Sequence, residues 1–195
     1  MKIEFLEQGH PSQQEARDHI QSVYSACYGA RIERFAPRLV TARNLDGEIV
    51  CAAGVRTAKD GFFSDSYVDG GFANALHFPD GAPVPLNQVM EVVSVASATP
   101  FPVLGVLDFL LGWGRENGMR CGVFTVTAKL RRLIDRTGID YTAICRADPA
   151  RIQNADSCGS NYDEDPWVCA STEGRFDPVF LSPRNRASAT KAKAV

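Results

Sequence analysis

The chain lacks any run of about 18 apolar residues, so no segment is expected to cross a bilayer as a helix. Its longest apolar stretch, residues 103–111, already contains Asp108. It also lacks a basic surplus: 21 Lys and Arg stand against 23 Asp and Glu, a net charge of −2, and the cations are scattered. Nucleic-acid binding, which calls for a basic stripe along one face, is therefore not expected. Residues 1–7 carry no apolar core of a secretory signal. The six cysteines (Cys27, Cys51, Cys121, Cys145, Cys158 and Cys169) show no C-x-x-C spacing. They read as reduced structural thiols in a cytoplasmic protein. Histidine is scarce, with only His10, His19 and His77, and none lies near Cys158 to make a nucleophile of it. The acidic cluster Asp163, Glu164 and Asp165 does not have the spacing of a calcium loop, and no metal is expected.

What remains is an ordinary core-forming composition: 195 residues, 45% hydrophobic and 23% charged, with no tandem repeat. One domain is expected over residues 1–181. Residues 182–195 contain four basic residues and no acid, and are expected to be a disordered basic tail. The organising stretch is residues 90–138. Val92-Val93-Ser94-Val95 and Val123-Phe124-Thr125-Val126 are β-branched runs of strand length. Between them Thr99, Pro100 and Pro102 open a helix. Val103, Leu107, Leu110 and Leu111 form one face of it, and Val106, Phe109 and Trp113 cover much of the rest, so it should be central and buried. Asn117-Gly118 ends it within a few residues of the next strand, as in a β-α-β crossover.

On either side the pattern is equally readable. Residues 2–7 alternate as a first strand, and residues 11–27 repeat Ala16, Ile20, Val23, Tyr24 and Cys27 at helical steps, with Ser12 as N-cap and Gly29 past the end. Residues 38–43 and 48–56 flank Asn44-Leu45-Asp46-Gly47, a hairpin signal. Residues 62–68 read as a further strand, followed by a Gly/Pro loop with a helical turn near 72–76. Residues 129–136 read as a short helix stopped by Gly138, 140–145 and 167–170 as the last strands, and 158–165 as polar loop. The resulting order is β-α-β-β-β-β-α-β-α-β-β. It implies an α/β (α+β) fold with a mixed central sheet of about seven strands and helices on both faces. That order resembles the GNAT acyltransferases, in which acyl-CoA lies in the gap between two splayed strands.

Several segments carry a more specific resemblance. Tyr28-Gly29-Ala30-Arg31, Phe35-Ala36-Pro37-Arg38-Leu39-Val40, Ala53-Gly54-Val55-Arg56-Thr57-Ala58, Tyr67-Val68-Asp69, Glu91-Val92, Phe124-Thr125-Val126-Thr127 with Leu130-Arg131, and Ala147-Asp148-Pro149 with Arg151 resemble, in this order, the thermostable hemolysin family. That family is in turn similar to GNAT enzymes and to acyl-homoserine-lactone synthases. Glu91 falls on the glutamate of those synthases, while Ser94 stands where they carry arginine. The resemblance implies acyl transfer from an acyl-CoA or acyl-carrier-protein thioester to a small amine or amino acid. The alternatives are a non-catalytic binding module on the same fold and a directly membrane-lytic protein. The latter has the least physical support, because no strongly basic amphipathic helix is present.

Such chemistry needs a base, an oxyanion donor and a grip on the carrier. A lone carboxylate beginning an apolar strand makes Glu91 the candidate base. Ser94 is a candidate orienting group, although strict alternation puts Glu91 and Ser94 on opposite faces unless a bulge intervenes. Val95, Ala98, Thr99, Gly105 and Arg131 are the candidate carrier-binding positions. The usual phosphate loop, Arg-x-x-Gly-x-Gly/Ala, is replaced by Ala98-Thr99-Pro100-Phe101-Pro102-Val103-Leu104-Gly105, which keeps a helix start but loses the arginine and two N–H donors. Arg56, Asp65, Tyr67, Asp69 and Thr127 are the candidate acceptor-binding residues, the two acids as a possible ammonium site.

Overall fold

The computed structural model describes residues 1–136 and 139–173. The expected tail, the boundary at 181 and the helix stop at Gly138 lie outside them. Seven strands form one sheet: β1 (Lys2–Leu6), β2 (Arg38–Arg43), β3 (Ile49–Thr57), β4 (Val89–Ser97), β5 (Cys121–Val126), β6 (Thr142–Arg146) and β7 (Trp167–Thr172). Their spatial order is β1-β2-β3-β4-β5-β7-β6. All neighbours are antiparallel except β4 and β5, which run parallel across the crossover helix α3 (Pro100–Glu116). The remaining helices are α1 (Gln13–Tyr28), the single turn α2 (Phe72–Ala75) and α4 (Ala128–Asp135).

Alternation along the strands divides the core between two faces. Leu39, Ala52 and Ala96 pack with Leu6, Ala16 and Ile20 under α1. Their neighbours Val40, Ala53, Val55 and Val92 pack with Val103, Val106 and Leu110 under α3. Pro100, Phe101 and Glu116, all at its ends, are the exposed residues of α3, so the helix is as central as its composition implies. On the α1 face, the far half of the sheet is covered by no long helix of the described residues. It is roofed instead by the connection from β3 to β4, where Tyr67, Val68, Phe72, Leu76 and Val84 bury against Val89, Val123, Val168 and Ala170.

This roof corrects the strand expected at residues 62–68, which is a 3-10 turn at Ser64–Tyr67. The backbone N–H groups of Phe63 and Ser64 donate to the Glu91 carboxylate, and Asp65 accepts from Phe72 N–H, so local polar bonds take the place of a ladder. The polar loop expected at 158–165 is likewise wound into 3-10 turns over Ala155–Glu164. At Gly159, φ is 54°, and a Cβ would lie 2.0 Å from the Tyr28 carbonyl oxygen, which ties this segment to the end of α1. Gly29 takes the left-handed conformation expected of it at φ 64°.

Candidate active site

β4 and β5 are laddered only from Val89↔Cys121 to Val92↔Phe124. Beyond that pair they part, and a slot opens through the sheet with Val93 on one side and Thr125 on the other. Opposite β3, the register moves from Gly54↔Val93 to Ala52↔Ala96, so Ser94 and Val95 together face Ala53. This is a two-against-one bulge, and Ser94 sits in it at φ 51°. The bulge resets the alternation. Gly54 makes room beside it, since a Cβ there would come 2.8 Å from both Ala36 Cβ and Val93 Cγ2.

Two chambers meet at the slot. On the α1 face, a cavity of about 170 Å³ is lined by Tyr24, Arg31, Arg34, Arg56, Phe63, Ser64, Tyr67, Val92, Val93, Ser94, Thr125, Cys158, Asn161 and Tyr162, among others. On the α3 and α4 face, a cavity of about 200 Å³ is lined by Val95, Ala98, Thr99, Pro100, Val103, Thr127, Lys129 and Leu133, together with residues of α1. Tyr24, Thr125, Asn161 and Pro166 line both.

Glu91 stands just before the slot and is 0% exposed. Each carboxylate oxygen accepts a backbone N–H at 2.7 Å, Oε2 from Phe63 and Oε1 from Ser64. Burial drives its pKa above the usual carboxylate range, against these hydrogen bonds, the nearby Ser64 hydroxyl and the field of Arg56. Glu91 does not line the chamber itself. Ser64 Oγ lies 2.7 Å from Thr125 Oγ1, and both hydroxyl residues do line it. Ser64 therefore touches the buried carboxylate through its backbone N–H and the slot through its hydroxyl. Deeper in the same wall, the Tyr67 and Tyr162 hydroxyls are 2.5 Å apart. Burial pushes Tyr67 up to about 12 and raises Tyr162 further, so both stay protonated at neutral pH.

The structure gathers seven of the remaining expected residues around the slot. Arg56, Tyr67 and Ser94 line the α1-face chamber, and Val95, Ala98, Thr99 and Thr127 line the other. It places four elsewhere. Asp65 is spent on the turn, its Oδ1 accepting from Phe72 N at 2.6 Å. Asp69 is 88% exposed and paired with Arg151. Arg131 pairs with Asp165 at 2.9 Å, with its guanidinium carbon 5.6 Å from the Trp167 ring centroid. Gly105 lets α3 approach β1, because a Cβ there would come 2.5 Å from Met1 Cε. Missed by sequence reasoning were Ser64, Thr125, Arg31, Arg34, Tyr24 and Tyr162. Thr125 and Arg31 do lie inside the segments that carry the family resemblance; the others have no local signature.

Thr99 is the N-cap of α3 but makes no side-chain cap bond, and Pro100 and Pro102 offer no N–H. Lys129 is the sole cation among the residues lining this chamber. The helix start is therefore a poor phosphate cradle. Among the described residues, no group of three or more His, Cys, Asp or Glu side chains is placed to hold a metal ion. No described helix is long and apolar enough to cross a membrane.

Solved structures share this architecture. TofI in an apo form superposes with a TM-score of 0.61 at 15% identity, covering 97% of each chain. MesI, a CoA-dependent acyl-homoserine lactone synthase, does so at 0.56 and 13%, covering 100% of this chain and 96% of its own. FeeM, an N-acyl amino acid synthase from uncultured soil microbes, gives 0.57 and 14%, covering 88% of this chain and 92% of its own. At these identities the likeness is one of fold, and the fold is GNAT-like. No curated protein matches the sequence. The model described as thermostable hemolysin matches residues 6–175, and the chain belongs to that family.

Proposed function

We propose that this protein is an N-acyltransferase that moves an acyl group from a CoA or acyl-carrier-protein thioester to a small amine or amino acid. The observation that carries this reading is Glu91: a wholly buried carboxylate held by the Ser64 backbone N–H, with the Ser64 hydroxyl in turn against Thr125 at the point where β4 and β5 separate. The thioester enters from the α3 face, between Val95, Thr99 and Thr127. Past Val92, β4 has no ladder partner on the β5 side, which leaves its backbone to bond the carrier's amide arm. The acceptor enters from the α1 face.

The ammonium of the acceptor first loses a proton through Thr125 and Ser64 to Glu91, whose raised pKa suits a base working near neutrality. The free amine then attacks the thioester carbonyl carbon. A C–N bond forms, the C–S bond breaks, and the departing thiolate takes up the second proton that the nitrogen gives up on becoming an amide. Ser94, which lines the chamber, and the backbone of the bulge steady the carbonyl oxygen as it gains charge.

The test is thermal stability and thiol release with a panel of acyl-CoA chain lengths and acylated carrier protein. A donor that binds the native state raises the melting temperature by mass action. Glu91→Gln is expected to keep that shift and lose at least ~100-fold in turnover, the scale of general base catalysis. The loss of the phosphate-loop arginine and N–H donors favours a second reading, a binding module without chemistry. That reading gains if a donor binds and no acceptor releases thiol, and no shift with any thioester defeats the transferase.

A further inference from the structure

Arginine is distributed unevenly in this molecule. Arg38, Arg43, Arg120, Arg131, Arg146 and Arg151 each pair with a carboxylate. None of these six lines the α1-face chamber. The three that do, Arg31, Arg34 and Arg56, form no ion pair with an acid among the described residues, and no Asp or Glu lines the chamber beside them. Arg56 makes no direct ion pair: it reaches the carbonyl oxygens of Asp60 and Gly61, each at 3.3 Å, and acts on the buried Glu91 only through its field. It is also the register partner of Glu91 across the antiparallel β3–β4 pair, so the two side chains leave the sheet on the same face. Arg31 and Arg34 are exposed at the mouth.

A cationic acceptor would meet three guanidinium groups here and no reachable carboxylate. Glu91 is closed off behind Ser64, and Asp65 and Asp69 are committed elsewhere. A carboxylate is the natural partner, since the planar fork of arginine matches it in geometry as well as in charge. Tyr24, Phe63, Tyr67, Val92 and Val93 give the wall an aromatic and aliphatic stretch, beside the polar Ser94, Thr125, Ser157 and Asn161.

We propose, resting on the acyltransferase reading, that the acceptor is a neutral amino acid with an apolar or aromatic side chain. Its carboxylate is held by Arg56, after capture by Arg31 and Arg34. Its amine lies toward Ser64 and Thr125, and the product is an N-acyl amino acid that keeps a free carboxylate. Polyamines and sulfonium amino-acid conjugates, whose positive charge would face these arginines, are excluded as acceptors.

The experiment compares N-decanoyl-leucine with its primary amide by calorimetry on the full chain, wild type and Arg56→Gln. The amide has the same size and apolar surface and lacks only the charge. The acid is expected to bind at least tenfold more tightly to wild type. In Arg56→Gln that ratio should fall to about two, with affinity for the amide unchanged, which also reports that the variant is folded. Equal affinities in wild type, no binding of either compound, or a preference that survives in Arg56→Gln would each overturn the proposal. Decanoyl-CoA and decanoyl-carrier protein are run in parallel by thermal shift. A donor shift without acid preference defeats the carboxylate site alone. Acid preference without a shift from either donor, and without thiol release when leucine is supplied, defeats the transferase reading and the acceptor role with it.

Discussion

The two chambers share a slot but not a chemistry. On the α1 face, three arginines line the wall; on the α3 face, a single lysine does, and two prolines stand where a phosphate would look for N–H groups. Among the residues that line the two chambers, positive charge is thus collected on the α1 face and is thin on the α3 face. In the proposed transfer, affinity for the donor would come from the acyl chain and its amide arm, while affinity for the acceptor would have an electrostatic part.

The largest effect that would break this contrast concerns the link between the chambers. If Glu91 acts through hydroxyls, Ser64→Ala with Thr125→Val should lower kcat by about 30- to 100-fold, within the range of general base catalysis, while donor-induced thermal shifts persist. Unchanged kcat would mean that the proton takes another route. Next comes the pH dependence. Burial raises the Glu91 pKa, so kcat/KM should climb about tenfold per unit through an apparent pKa above the ordinary carboxylate range, and Glu91→Gln should flatten that limb. The stability sign runs the other way. The folded chain holds this proton more tightly than the unfolded chain, so the contribution to folding is full below the unfolded pKa and is lost as pH rises through the folded one. Urea midpoints across that window would show it. The smallest effect sharpens the contrast: an acyl-pantetheine should serve within about threefold of the matching acyl-CoA, because few groups reach the phosphates that it lacks. A drop of a hundredfold would place a phosphate site on the α3 face after all.

Much of the fold was legible because periodicity and turn chemistry act locally. The hairpin at 44–47, the helix starting at the prolines and the β-branched runs at 92–95 and 123–126 all sit where their patterns put them. The segment at 62–68 was misread for a nonlocal reason. Its Phe and Tyr spacing suits a strand, but its N–H groups are claimed by a carboxylate 27 and 28 residues away. The site divides along the same line. Glu91 announced itself as a lone acid on an apolar strand, and the need for a bulge before Ser94 could be argued from alternation alone. Asp65, Asp69 and Arg131 each have a partner away from the slot, which could not be read from composition, since it cannot tell a free charge from a partnered one. Ser64, Tyr24 and Tyr162 arrive at the slot from elements far apart in sequence, through packing that no local pattern encodes.

A β-sheet is ordinarily a partition: its hydrogen-bonded ladder keeps whatever lies on one side from whatever lies on the other. The separation of β4 from β5 past Val92 turns this partition into a turnstile. In the proposed transfer, donor and acceptor would approach from opposite sides and need not pass through a common entrance, so neither would have to leave before the other arrives. The kinetic order follows from that geometry. Double-reciprocal plots at several acceptor concentrations should intersect, as for a ternary complex, and parallel lines would mean that the acyl group rests on the protein in between.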